Sequence, residues 1–305
     1  MKTFITKLAI IAGLMLLSFL AQAQTLLYSV NGTGGTGGGT SGVSVTPSTA
    51  PGGSSALTDL GATTQFSFGT GVDGVAGESI VNGATGQGGS GVLAGTLGAS
   101  SSLNQFTLTM WVNLSTASIN NYRILEISPG APATTGSADG TSLFLGLNSG
   151  GGLQMYVNNV NGNSTSTDIA PAATWNTGGT LGGIAANSWY FVAITYDTIG
   201  NTSRLYSGDL ADSAILANTY NNLDGSLNLS SATSIALLDR FSSGRNFPGA
   251  IDDVNLYSGA LTQSQIDGIQ SSEITPAPEP ASLAIICLGG AFSVVIIRRR
   301  NQLAN

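Results

Sequence analysis

Histidine is absent from the 305 residues, cysteine occurs once, and lysine and arginine together number nine. Each shortage removes a class of chemistry. Without imidazole there is no Ser-His-Asp or Cys-His nucleophile, no histidine-ligated zinc and no histidine general base near neutral pH. The one cysteine, Cys287, lies in an apolar run near the C-terminus, so no disulfide can staple the body of the chain. At about 245 residues, that body is large enough to stand on its own core without one.

Cations are scarce and unevenly placed. Lys2 and Lys7 sit at the start and Arg298, Arg299 and Arg300 near the end. Between residues 24 and 277, the four arginines Arg123, Arg204, Arg240 and Arg245 face fifteen carboxylates, which leaves a net charge of −11. A phosphate backbone or an anionic membrane surface would be repelled, because binding either needs clustered cations.

What is present at the two ends concerns routing. After Lys2 and Lys7 comes the apolar run Leu8 to Leu20 and then Ala21-Gln22-Ala23, an A-x-A site. Residues 1–23 therefore read as a secretory signal peptide, removed by signal peptidase before Gln24. A retained anchor is the alternative, but the run is short of the roughly 20 residues that span a bilayer. At the far end, Pro278-Glu279-Pro280 precedes the uncharged run Ala281 to Ile297 and then the three arginines. As a helix the run is about 26 Å long, at the lower limit for a transmembrane segment (residues 281–297). By the positive-inside rule the arginines stay cytoplasmic and everything before Pro278 lies outside.

Those residues, Pro278, Glu279, Pro280, the apolar helix and Arg298, Arg299 and Arg300, resemble a PEP-CTERM sorting signal of Gram-negative bacteria over residues 278–300. The resemblance implies export, transient anchoring in the inner membrane, processing by an exosortase, and delivery to the cell surface or extracellular matrix, where exopolysaccharide is a natural neighbour. An ordinary anchor that is never cleaved is the competing reading. Residues 272–277 read as a linker.

The body reads as all-β. Between residues 31 and 100 lie 21 of the 43 glycines, so this third is expected to be mostly long loops between early strands such as Leu26 to Val30 and Phe66 to Phe68; a flexible linker is the other possibility. From Phe106 to Leu114, apolar residues alternate with Thr107, Thr109, Trp111 and Asn113, a period of two. Further strands are expected at Arg123 to Ile127, Leu143 to Leu147, Leu153 to Val157, Trp189 to Asp197, Arg204 to Ser207, Ile235 to Asp239 and Ala250 to Tyr257. Trp189, Tyr190, Phe191 and Val192 make both faces of their strand apolar, so it should be central. Many short strands with turn signals between them indicate a β-sandwich. One helix is expected, Leu261 to Ile269. Thr262 and Gln265 can form a capping box, Leu261 can staple onto Ile266, and Gly268 should limit its length. Its expected place is one edge of the sandwich.

Three blocks, Phe106-Thr107-Leu108-Thr109-Met110-Trp111-Val112, Trp189 to Asp197, and Gly249-Ala250-Ile251-Asp252-Asp253-Val254 followed by Leu261 and Ile266, resemble a LamG-like domain. That family is part of the concanavalin A-like lectin/glucanase jelly-roll superfamily, and the likeness covers much of residues 106–270. It implies a LamG-like β-sandwich over residues 24–271 that binds carbohydrate or protein ligands. It also implies a frequent Ca²⁺ site near the Asp-rich strand, with Asp253 the better ligand and Asp252 the more structural residue.

Catalytic signatures are missing. Laminarinase-like glycosidases of this fold carry carboxylates at alternate strand positions, E-x-D-x-E, for paired acid and nucleophile. Here Glu126 stands alone, and Asp252 and Asp253 are adjacent, hence expected on opposite faces. Gly32 to Gly37 matches G-x-G-x-x-G, but the residues that follow cannot begin a phosphate-binding helix. Trp111, on the polar face of its strand, is a candidate to stack on a sugar unless a long loop covers it, and Trp175 is the better candidate for an exposed aromatic. The expected function is thus non-catalytic ligand binding at the surface. A purely structural matrix protein and, more remotely, a glycosidase with carboxylates assembled from separate strands are the alternatives.

Overall fold

A computed structural model describes residues 25–33, 35–38, 41–50, 52, 54–59, 66–83, 92–97, 103–115, 121–128, 143–147, 153–158, 164–167, 186–221, 234–240 and 244–274. The segment read as a signal peptide (residues 1–23), the Pro278-Glu279-Pro280 motif, the apolar segment 281–297, Arg298 to Arg300 and Trp175 lie outside them. Among the described residues no helix is long and apolar enough to cross a membrane.

Among the described residues, seventeen strands form two sheets. In chain order they are β1 (Leu26–Val30), β2 (Thr36–Gly38), β3 (Ser41–Val45), β4 (Leu57–Asp59), β5 (Phe66–Thr70), β6 (Ala76–Asn82), β7 (Leu93–Thr96), β8 (Gln105–Leu114) and β9 (Tyr122–Ser128). There follow β10 (Leu143–Leu147), β11 (Leu153–Asn158), β12 (Ser164–Thr167), β13 (Trp189–Asp197), β14 (Thr202–Asp209), β15 (Ile215–Asn221), β16 (Ser234–Leu237) and β17 (Gly249–Ser258). The first sheet runs β15-β14-β13-β8-β17-β6-β5, with β1 also paired to β17, and the second runs β12-β11-β10-β9-β16-β7-β4-β3-β2. All pairings between these strands are antiparallel. The expected strands from Phe106 onward are present.

The glycine-rich third contains more strand than expected. Six strands, β2 to β7, fall within residues 31–100. Three of them have only three or four residues, too short for alternation to register in the sequence; β2 pairs with β3 beside it in the chain, whereas β7 is held by the distant β16. The Gly32 to Gly37 motif leads into β2, so the strand-to-helix phosphate turn is not formed.

The core follows from the alternation. Phe106, Leu108, Met110, Val112 and Leu114 of β8 and Val192, Ile194 and Tyr196 of β13 face Ile124, Leu125, Ile127, Leu143, Leu145, Ile235 and Leu237 of the second sheet in one buried cluster. Phe106 and Tyr196 are directly paired across the strands, and their rings stack with centroids 5.0 Å apart.

The outer face of the first sheet is also apolar, and a helix covers it. Trp111, Phe191, Ala193 and Tyr206 form a second cluster with Leu261 and Ile266 of the C-terminal segment. Helix α1 spans Gln263–Glu273, with Thr262 as N-cap and the reciprocal Thr262/Gln265 capping box. It passes through Gly268 and ends at Ile274, which packs on the same cluster. So the helix is longer than expected and lies on the sheet face, not at an edge, and the domain runs into the segment read as linker. Gly268 faces open space, so its cost is the roughly 1 kcal/mol of glycine propensity, which the burial of Ile266 outweighs. Gln270 fastens the helix to the turn after β14. Its Oε1 accepts the Ala214 N–H at 2.5 Å and its Nε2 donates to the carbonyls of Asp209 and Asp212 at 2.8 and 3.0 Å.

If α1 is part of the cooperative fold, Ile266→Ala should cost about 2–5 kcal/mol and Thr262→Ala about 1 kcal/mol. Urea unfolding followed by tryptophan fluorescence reads both, and the expected result is one transition with a lowered midpoint in each variant.

Candidate functional site

Trp111 does not offer its ring to a ligand. It is fully buried, meets Phe191 edge-on with centroids 5.3 Å apart, and donates its Nε1 hydrogen to Glu273 Oε2 at 2.9 Å. Its position on the outer face was legible. What covers it is the end of α1, where a long loop was the expected cover. Asn255 Nδ2 donates to the other oxygen of Glu273 at 2.9 Å.

Asp252 and Asp253 sit at a β-bulge. The register of β17 against β8 shifts between Asp252 and Asn255, and Asp253 has φ 44°, a left-handed conformation that aspartate tolerates better than most residues. The simple alternation that would part neighbouring side chains is interrupted, and the two carboxylates are near enough to repel. Asp252 is buried. Its Oδ2 accepts the Val72 N–H at 3.0 Å and its Oδ1 the Asp253 N–H at 2.9 Å. Gly71 makes room for it, since a Cβ there would stand 2.7 Å from Asp252 Oδ2 and 3.1 Å from Asp73 Oδ1. Asp252 is therefore a structural tie between β17 and the turn at residues 71–75, and both of its oxygens are occupied.

The carboxylates of this region raise one another's pKa. Burial, then the charge of Asp253, pushes Asp252 up to about 7. Asp253 is raised to about 6 by burial and by Glu78 and Asp73, although Asn31 Nδ2 donates to it at 3.4 Å. Glu78 is raised by burial and by Asp73, and Glu273, by burial and by Asp253, stands well above the usual carboxylate range. Among the described residues no three acidic side chains converge as metal ligands. Asp253 fits a cation better than Asp252 does, having one long hydrogen bond where Asp252 has two ordinary ones. An ion there would draw most of its oxygens from main-chain carbonyls and water.

A separate concavity, which sequence reasoning missed, opens where β13 begins and β14 ends. It has a volume of about 330 Å³ and is lined by Tyr190, Ser207, Gly208, Asp209, Asp212, Ser213 and Ile215. The turn beneath it is rigid. Asp209 Oδ1 accepts the N–H groups of Ala211 and Asp212 at 2.8 and 2.9 Å, and Gln270 clamps the turn from the other side. The lining combines a phenol ring, hydroxyls and carboxylates, the mix that suits a polyhydroxylated ligand. Asp209 and Tyr190 are paired across neighbouring strands, a proximity that sequence spacing alone does not reveal.

The sandwich defines the class. The family model of the concanavalin A-like lectin/glucanases superfamily matches residues 85–267, and the chain belongs to that superfamily. Solved structures of similar fold include the botulinum neurotoxin serotype D binding domain, at 14% identity and TM-score 0.51, covering 82% of this chain and 52% of that one. A botulinum neurotoxin type C structure has 15% identity, TM-score 0.51 and coverage of 84% and 52%. The serotype D ligand binding domain in complex with N-acetylneuraminic acid has 16% identity, TM-score 0.50 and coverage of 81% and 51%. The chain thus matches about half the length of these relatives, and at such identity the likeness concerns fold. Comparison with curated proteins gives no sequence match.

The raised carboxylates carry a sign that can be measured. Each has a folded pKa above its unfolded value of about 4, so its favourable contribution is complete below that value and is lost as pH rises through about 6 for Asp253 and 7 for Asp252. The melting temperature should therefore be higher at pH 5 than at pH 8. Asp253→Asn, which keeps a side chain tolerant of positive φ, should raise the pH 8 value and flatten the slope; a melting series across this range checks both.

Proposed function

We propose that the protein is an exported surface or extracellular-matrix component whose sandwich binds glycan without catalysis, at the cavity beside Tyr190. The observation that carries this is the cavity itself, with an aromatic ring against hydroxyl and carboxylate groups on a turn fixed by Asp209 and Gln270. A lectin-like fold supports binding as its use. The type C neurotoxin relative interacts with ganglioside and the serotype D relative holds N-acetylneuraminic acid, which supports binding further. Against catalysis stands the state of Asp209, which spends an oxygen on two main-chain N–H groups. Exopolysaccharide of the host cell is the proposed ligand class.

Calcium belongs to the proposal only through Asp253. A cation there would relieve its repulsion with Glu78 and Asp73 and would stabilise the folded state by mass action. Glycan binding is to be measured by calorimetry with the host's neutral exopolysaccharide fragments, with and without 10 mM Ca²⁺ and with Mg²⁺ as control. The expected result is saturable binding, weakened about tenfold or more by Tyr190→Ala and by Asp212→Asn, with a rise in melting temperature specific to Ca²⁺ and lost in Asp253→Asn. Absence of saturable binding, or binding indifferent to both cavity variants, refutes the cavity as the site. Equal shifts with the two ions refute calcium.

Routing is proposed on the chain ends, signal peptidase acting before Gln24 and an exosortase at Pro278-Glu279-Pro280. Replacing those three residues with alanine should leave export intact and hold the full-length chain in the inner membrane, as read by fractionation and immunoblotting. Release of the variant at the wild-type rate would contradict the sorting role.

A further inference from the structure

Three of the four arginines between residues 24 and 277 gather on the second sheet. Arg123 lies in β9, and Arg240 and Arg245 lie in the segment after β16. Asp239 Oδ1 accepts the main-chain N–H groups of both Arg240 and Arg245, at 2.7 and 2.8 Å. The Arg245 carbonyl in turn accepts the Arg123 N–H at 2.8 Å. The Arg123 guanidinium is laid over the Phe144 ring, 3.3 Å from its centroid. Gly146, opposite Arg123 on β10, leaves it space; a Cβ there would stand 3.3 Å from Nη1 and run into the Tyr122 carbonyl.

In so acidic a chain this gathering needs a reason, since like charges repel. The Arg123 pKa is lowered to about 10 by burial and by the charges of Arg245 and Arg240, offset in part by Glu126 and Asp239. The two local carboxylates are withdrawn from solvent. Asp239 is 0% and Glu126 4% exposed, the latter accepting from Ser128 Oγ at 3.2 Å. The three arginines and Phe144, by contrast, are each partly exposed. Among the described residues this patch therefore turns guanidinium groups toward solvent, although Nη1 of Arg123 is itself buried, and Arg123 is prepositioned by the ring beneath it. A guanidinium matches the planar, two-oxygen geometry of a carboxylate.

We infer that Arg123, Arg240 and Arg245 form a site for the carboxylate of an acidic sugar, such as a uronate residue of a glycan. It lies apart from the Tyr190 cavity and depends on the glycan-binding reading only in choosing a sugar over an acidic peptide. The test uses the full-length protein in uncharged detergent, titrated calorimetrically with a galacturonate trimer. A galactose trimer and a short polyglutamate serve as comparisons. The expected result is uronate binding that Arg240→Gln/Arg245→Gln weakens at least tenfold. Arg204→Gln, on the other sheet, should change it less than twofold, with no fall in melting temperature for any variant. Binding that survives the double substitution, an equal loss in Arg204→Gln, or polyglutamate binding as tightly as uronate would each overturn the site. Should Tyr190→Ala abolish galactose binding and spare uronate binding, the two sites are separate. Should galactose fail to bind while the arginine dependence persists, only the cavity reading falls.

Discussion

The structure depends on a sheet that has an apolar inner face and, at the middle of its outer face, an apolar patch as well. In β8 and β13 the inward residues, from Phe106 to Leu114 and from Val192 to Tyr196, make the sandwich core, while Trp111, Phe191 and Ala193 point the other way. A face of that composition cannot stay wet without a large loss of hydrophobic free energy. The chain meets this by carrying its last described element, α1, across the outer face. Much else follows from that placement. Trp111 is sealed, Gln270 is set to clamp the turn after β14, and Glu273 is brought under the sheet to accept from the indole and from Asn255.

A cation-poor body ties several of its carboxylates to main-chain N–H groups. Asp252 ties β17 to the turn at residues 71–75, Asp209 closes the turn beneath the cavity, and Asp239 accepts the main-chain N–H groups of two arginines. The same device serves three corners of the sandwich, because an N–H donor is available wherever the backbone turns and needs no counter-charge. The residual cost is visible where carboxylates crowd, at Asp252, Asp253, Glu78 and Glu273, whose pKa values all rise.

Two surface features of opposite character result. The cavity beside Tyr190 is acidic and hydroxyl-lined, suited to a neutral polyol, whereas the patch around Arg123 is cationic over buried acids. They lie on different sheets.

The amino-acid sequence by itself determined the β-sandwich, its central strands and the capping box of α1, because period-two alternation and a Thr-x-x-Gln cap are local patterns that depend on neighbours a few residues away. It also excluded imidazole chemistry, and the routing proposal rests on it alone, since the segments concerned are linear. It did not determine that six short strands would order the glycine-rich third, that α1 would run through Gly268, or that Trp111 would be covered by a helix more than 150 residues later. Those outcomes rest on contacts between segments far apart in the chain, where burial of a whole face outweighs the preference of a single residue. For the same reason Tyr190 and Asp209 at one cavity, and Arg123 beside Arg240 and Arg245, were decided by tertiary structure alone. Sheet pairing sets which side chains meet, and no local pattern encodes that choice.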